Sequence, residues 1–187
     1  ILEFGRQIWD VWSKKNLVIW KLSHGEKDFT LDSLQQYLQD EVGVMYGETG
    51  KGQGESFQDV KVGTLFYLCH GNKSLLLIGQ FISQPEPCGD SEGWLQRRYR
   101  VLKASIKNGG YQGTSKGWAP NYRSTFKRVP EKDLPEFETN LLQPFFGIDL
   151  AELAALAGSP LEQDQVVSQN QFESQPEPTS PQNKMKK

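Results

Sequence analysis

Between Trp94 and Arg128 the chain carries Arg97, Arg98, Arg100, Lys103, Lys107, Lys116, Arg123, Lys127 and Arg128, and not one aspartate or glutamate. Tyr99, Tyr111, Trp118 and Tyr122 are interleaved with them. The whole chain has a formal charge of -2, so this block is a local asymmetry rather than a compositional drift. Cationic side chains neutralise phosphates and aromatic faces stack on bases, so the mixture suits a nucleic acid. Arg97, Arg98, Arg100, Arg123, Lys127 and Arg128 are the phosphate candidates. On a strand, Arg98 and Arg100 share one face while Arg97 lies on the other, so a single surface cannot use all three. The competing reading is a solvated face whose cations pair with acids such as Asp40, Glu41 and Glu48.

Trp20, Tyr46, Trp94 and Trp118 are the candidates for rings that would enclose a base. Trp20 lies in a strand pattern and serves equally well as core, whereas Trp94 and Trp118 each follow a glycine outside such patterns. Ser23 and His24 end a strand at Gly25, where a hydroxyl and an imidazole can face a cavity and hydrogen-bond a base edge. Turn capping by Ser23 and a solvated His24 are the plainer alternative. Cys69 and His70 lack further ligands at metal-binding spacing, and no metal or other cofactor is expected.

Gly47 to Gly52 (GETGKG) invites a phosphate-loop reading that fails. The pattern needs glycine where Met45 stands and serine or threonine where Gly52 stands. The stretch reads instead as a loop with Lys51 at its tip, either probing a groove or idle on the surface. Catalysis has no Ser, His and Asp constellation, no framed pair of acids and no nuclease-like spacing behind it, so binding is the expected activity.

These side chains need a scaffold. With 187 residues, 36% of them hydrophobic, the chain can bury one ordinary core. Its two cysteines, Cys69 and Cys88, make no disulfide framework, which fits reduced thiols in the cytoplasm. No apolar run reaches the roughly 20 residues that cross a bilayer, so a soluble, unexported chain without a membrane partner is expected. The start at Ile1 suggests a piece of a longer protein.

Leu2, Ile8, Trp9 and Trp12 predict a short helix over 1–15. Strands are predicted at Asn16 to Leu22, Val42 to Tyr46, Thr64 to His70, Ser74 to Ile82, through Tyr99 and Val101 to Ala104, and at Tyr122 to Val129. Gly71-Asn72 predicts a hairpin. Thr30 should cap a helix stopped by Gly43, and Gly47 to Gly54, with four glycines in eight residues, should be mobile. Pro130 should open a helix with Leu134, Phe137, Leu141 and Leu142 on one face, and Asp149 should cap another over Leu150 to Ala157. Residues 16–158 form the expected domain, and 159–187, rich in Gln, Ser, Pro and Glu, read as a disordered linker. This order predicts an α/β fold, a small curled mixed sheet or barrel with flanking helices.

Taken together, WKLSHG, VGVMYG, VGTLFYLCHG, LLLIGQFIS, GWLQRRYRVL and WAPNYRSTFKRVP resemble the EVE and YTH group of the PUA-like fold. The likeness spans Asn16 to Gly147 and is greatest to the EVE-like N-terminal specificity domains of McrB-type modification-dependent restriction systems. It implies a pocket on a small barrel that takes up a modified base from duplex or single strand, held by an aromatic cage and read along its edge. It also implies a fused or associated NTPase motor and a nuclease. By the resemblance, Ser23 is the polar pocket residue, Tyr46 the first cage ring and Trp94 the second. The chain departs from YTH members in carrying Tyr46 where they commonly keep tryptophan, and in its Gly47 to Phe57 insertion. Modified double-stranded DNA is the expected partner, with modified RNA, or a protein docked on the Leu134 to Leu156 helices, as alternatives.

Overall fold

A computed structural model describes residues 17–158. The expected helix over 1–15 and the linker over 159–187 lie outside the described residues.

Seven strands form one strongly curled mixed sheet in the order β2-β6-β4-β3-β1-β7: β1 (Ile19–His24), β2 (Val42–Tyr46), β3 (Leu65–His70), β4 (Ser74–Phe81), β6 (Trp94–Ala104) and β7 (Phe126–Arg128), with the two-residue β5 (Glu86–Pro87) beside β6. Only β1 and β3 run parallel; the other pairings are antiparallel. Four helical segments flank it: α1 (Leu31–Gln39), α2 (Gln53–Asp59), α3 (Glu131–Phe146) and α4 (Leu150–Gly158). The curled α/β architecture is the one the strand pattern predicts.

Strand β3 shows why the sheet has a core on each side. All six of its residues are buried, and alternation sends them both ways. Phe66 and Leu68 join Leu22, Met45, Phe57, Phe81, Tyr99 and Phe126 in the cluster inside the curl. Leu65, Tyr67 and Cys69 join Ile19, Ile78 and the helices on the other face. There Leu134, Phe137, Leu141, Leu142, Phe145, Phe146 and Leu153 are buried, so the apolar stripe of α3 and α4 is occupied by the sheet. No single helix among the described residues is long and apolar enough to cross a membrane.

The curl is produced by β6, whose first half pairs with β2 and whose second half pairs with β4. This brings β2 back toward β1. At Gly43 an added Cβ would lie 2.8 Å from Leu22 Cδ2, so glycine there permits the close approach. Gly43 is therefore a strand residue and not the helix stop expected; α1 ends at Asp40, and Glu41 takes the left-handed turn at φ 51°. Gly47 to Gly54 is likewise not a free loop. A Cβ on Gly54 would lie 1.8 Å from the Gly47 carbonyl oxygen, so its glycine serves contact, and α2 begins within the stretch and buries Phe57.

Two expected caps form. Thr30 accepts a hydrogen bond from Ser33 N, and Asp149 and Glu152 make reciprocal bonds of 2.8 and 2.9 Å at the start of α4. The strand expected at Tyr122 to Val129 shrinks to Phe126–Arg128. Its first residues turn away into a loop that lines the site described next.

Candidate nucleic-acid interface

A cleft of about 570 Å³ opens where β1 and β2 end and β6 begins. Tyr46 closes β2 and Trp94 opens β6, and the two are cross-strand partners in the antiparallel ladder, which puts both rings on one face. Their centroids are 5.7 Å apart and the planes are inclined at 57°, making an open aromatic corner. Tyr46 is 38% exposed. Gly93, at φ 77°, makes room for it: a Cβ there would lie 2.6 Å from the Tyr46 ring. Phe29, buried just before the Thr30 cap, meets Trp94 edge to face at 5.7 Å and completes the aromatic wall.

The opposite wall is polar. Ser23 lines the cleft from the end of β1, and Tyr122, Arg123, Ser124 and Thr125 line it from the loop before β7. That loop is fastened from behind by Lys21, which is fully buried and donates to the carbonyls of Ala119 and Tyr122, both at 2.8 Å, and to Ser124 Oγ at 3.1 Å. Burial pulls the Lys21 ammonium down to about 8, and among the described residues no carboxylate pairs with it. Gln53 of α2 holds the same loop, its Oε1 accepting from Thr125 N and Phe126 N at 2.8 and 3.0 Å.

Of the expected ring and edge residues, the structure brings together Tyr46, Trp94 and Ser23 and sets three others aside. Trp118 is 1% exposed, donates Nε1–H to Asp133 at 2.9 Å and packs on Tyr111 and Phe137; it is core. Trp20 stacks on Phe126 at 4.6 Å and does not line the cleft. His24 is fully buried and stacks on Phe29 at 4.2 Å, with its Nε2 accepting from Val44 N. It supports the aromatic wall from behind instead of reading a base edge.

The phosphate candidates divide in the same way. Arg97 is fully buried: it donates to the carbonyls of Phe57, Val60 and Ser83 and its guanidinium lies 4.6 Å from the Phe81 ring centroid. It binds α2 to the sheet and cannot meet a phosphate. Arg100 donates to Gln80 Oε1 at 2.8 Å and to the Ala157 carbonyl at 3.2 Å, tying β6 to α4. At six positions past Trp94 on the strand it is roughly 20 Å from the cleft. Arg98 is exposed on the opposite strand face from Arg97, as the alternation predicts. Lys51 is exposed at the loop tip, two residues beyond Thr49, which lines the cleft.

Arg123 lies in the cleft wall itself. Lys127 and Arg128, exposed on β7, line with Lys132 a separate hollow of about 350 Å³. Sequence reasoning named Arg123 but missed Phe29 and the rest of the Tyr122–Thr125 wall. An apolar residue directly before a helix cap signals the helix start and gives no hint that the first, Phe29, lines a cleft. The second was hidden because Tyr122 to Thr125 reads as strand.

No known protein-family pattern matches the chain, and no curated protein does. Among solved structures, it is similar to protein Atu2648 from Agrobacterium tumefaciens, at 11% identity and a TM-score of 0.45, covering 79% of this chain and 99% of that one. It is similar also to PSPTO5229 from Pseudomonas syringae, at 12% identity and a TM-score of 0.44, covering 66% and 99%. For Rpa0253 from Rhodopseudomonas palustris the identity is 13%, the TM-score 0.35 and the coverage 50% and 67%.

Proposed function

We propose that this chain is an EVE/YTH-type, PUA-like reader of a modified base in DNA, the specificity domain of a modification-dependent restriction NTPase working in the cytoplasm with a nuclease. The observation that carries the reading is the Tyr46 and Trp94 corner, opening on a cleft of base-binding size whose far wall is hydroxylic and cationic. Ligand sites of small-molecule dimensions fall at about 300–1,000 Å³. Extruding a base costs a few kcal/mol, and each base-on-ring contact returns on the order of 1–3 kcal/mol. Two rings are therefore enough to offset extrusion if the edge is also satisfied. Ser23, Ser124 and Thr125 supply hydroxyls for that edge, and Arg123, Lys127, Arg128 and Lys132 supply cations for the flanking phosphates.

Trp94→Ala tests the corner directly. In anisotropy titrations with matched modified and unmodified duplexes, the variant should lose the preference for the modified base while keeping residual, salt-sensitive affinity for both. An equal loss for the two duplexes would remove Trp94 from recognition. Matched RNA oligonucleotides belong in the same series, since tighter binding to RNA would reassign the reader to that polymer.

A further inference from the structure

Lys21 is a fully buried cation to which base recognition assigns no direct contact. It does not line the cleft; it stands behind the polar wall, on the face of β1 that also carries Ser23. The wall belongs to a stretch, residues 117–125, that has neither a strand ladder nor a helix to fix it. Near its start the Trp118 carbonyl accepts from the Tyr67 hydroxyl, and at its end the Thr125 carbonyl accepts from Ser23 N at 2.8 Å. Between these anchors the Lys21 head gathers Ala119, Tyr122 and Ser124.

Head and partners match only while the head is charged. An ammonium has three N–H donors and no acceptor, and three oxygens face it: the Ala119 and Tyr122 carbonyls and Ser124 Oγ. The Ser124 hydroxyl cannot donate in return, because its one hydrogen goes to the Gly117 carbonyl. A neutral amine brings two donors and a lone pair to three acceptors and leaves one of them unmet. Charge is nonetheless hard to keep there, since burial pulls the ammonium from the ordinary 10.5 to about 8. The titratable groups around it are Tyr67, Cys69 and Tyr111, whose protons burial holds in place, Lys127 as its cross-strand partner on β7, and Tyr122 and Arg123 of the wall. The α3 side chains in the same core are apolar.

Resting on the proposed reader function, we infer that Lys21 is a positioning residue for base recognition: without touching the base, its charged head holds the Tyr122–Thr125 wall opposite the Tyr46 and Trp94 corner, and discrimination of the modified base depends on that hold. Stability responds to pH in the opposite sense. From about 8 to 10.5 the unfolded chain keeps a proton that the folded chain has released, so this group's contribution to stability rises with pH while the wall slackens.

The test is a series from about pH 7 to about pH 9 at constant salt, on the 187-residue chain. Anisotropy titrations use an unmodified duplex and duplexes carrying one methylated cytosine, one hydroxymethylated cytosine or one methylated adenine. In the native chain the affinity ratio of the tightest modified duplex to the unmodified one should fall about tenfold across the series, with no matching loss in urea unfolding. Lys21→Met keeps the chain length of the side chain and removes its donors, so it should show the lowered ratio already near neutrality and no step. Arg123, Lys127 and the phenols are unchanged in that variant, and a step that persists there belongs to them and overturns the inference. If Lys21→Met does not fold, the native series decides: a flat ratio, or a fall that stability follows, overturns the positioning role and leaves the reader function standing. A native chain that binds all four duplexes alike near neutrality overturns the reader function, and the inference with it.

Discussion

Arg97 and Arg98 are adjacent in sequence and opposite in environment. The Arg97 guanidinium is buried against backbone carbonyls and two phenylalanine rings, and burial lowers its proton affinity. Among the described residues no acid compensates it. Removing it leaves the carbonyls of Phe57, Val60 and Ser83 short of a donor, so Arg97→Met should lower unfolding free energy in urea by about 3 kcal/mol. The variant should leave the salt dependence of DNA binding as it was. A shallower salt dependence in the folded variant would mean that the side chain reaches phosphate after all.

At the level of elements, β1 delivers His24 into the interior, where burial, reinforced by nearby His70, depresses its proton affinity to about 3. The unfolded chain takes up this proton as pH falls below about 6.5 while the folded chain does not, so stability drops between there and about 3. The contribution is at most about 1.4 kcal/mol per pH step. Urea titrations between pH 7 and 5 should therefore show a flatter decline for His24→Gln than for the native chain, about zero change from this position. An identical decline would place the acid sensitivity elsewhere.

Elements with local chemical signatures are legible in the sequence. Thr30 and Asp149 announce helix starts because their side chains satisfy nearby backbone groups. The hairpin at Gly71-Asn72 and the buried face of α3 follow from turn chemistry and periodicity. What failed depends on distant partners. Gly43 and Gly54 read as breakers or hinges, yet each is glycine because another part of the chain lies within van der Waals distance of it. Arg97 and Trp118 read as interface residues because composition cannot say which cation or ring turns inward. Tyr46, Trp94, Ser23 and Arg123 were identifiable as site residues, but Phe29, Tyr122, Ser124 and Thr125 needed the curl of the sheet to bring them near.

For the whole molecule, the basic block of the sequence becomes two populations. Arg97 and Arg100 hold the fold together, while Arg123 and Lys127 are exposed and each lines one of two hollows. Under the proposed function these exposed cations track the duplex backbone. Arg123→Ala and Lys127→Ala should each flatten the dependence of log affinity on log salt by about 0.9, the value for one released counterion per phosphate contact. They should weaken modified and unmodified duplexes alike. A loss confined to the modified duplex would move either residue from backbone contact to base reading.

Strand β6 supplies Trp94 at one end and the β4 ladder at the other, with Arg97 and Tyr99 packed inward between them. Side chains on a strand alternate, so deleting or inserting a residue between Trp94 and Tyr99 would force a choice between two incompatible phases. Either the indole rotates away from Tyr46, or the guanidinium and phenol leave the interior. Evolution can therefore retune this cleft by exchanging side chains in place, whereas changes in length must be accommodated in the connecting turns.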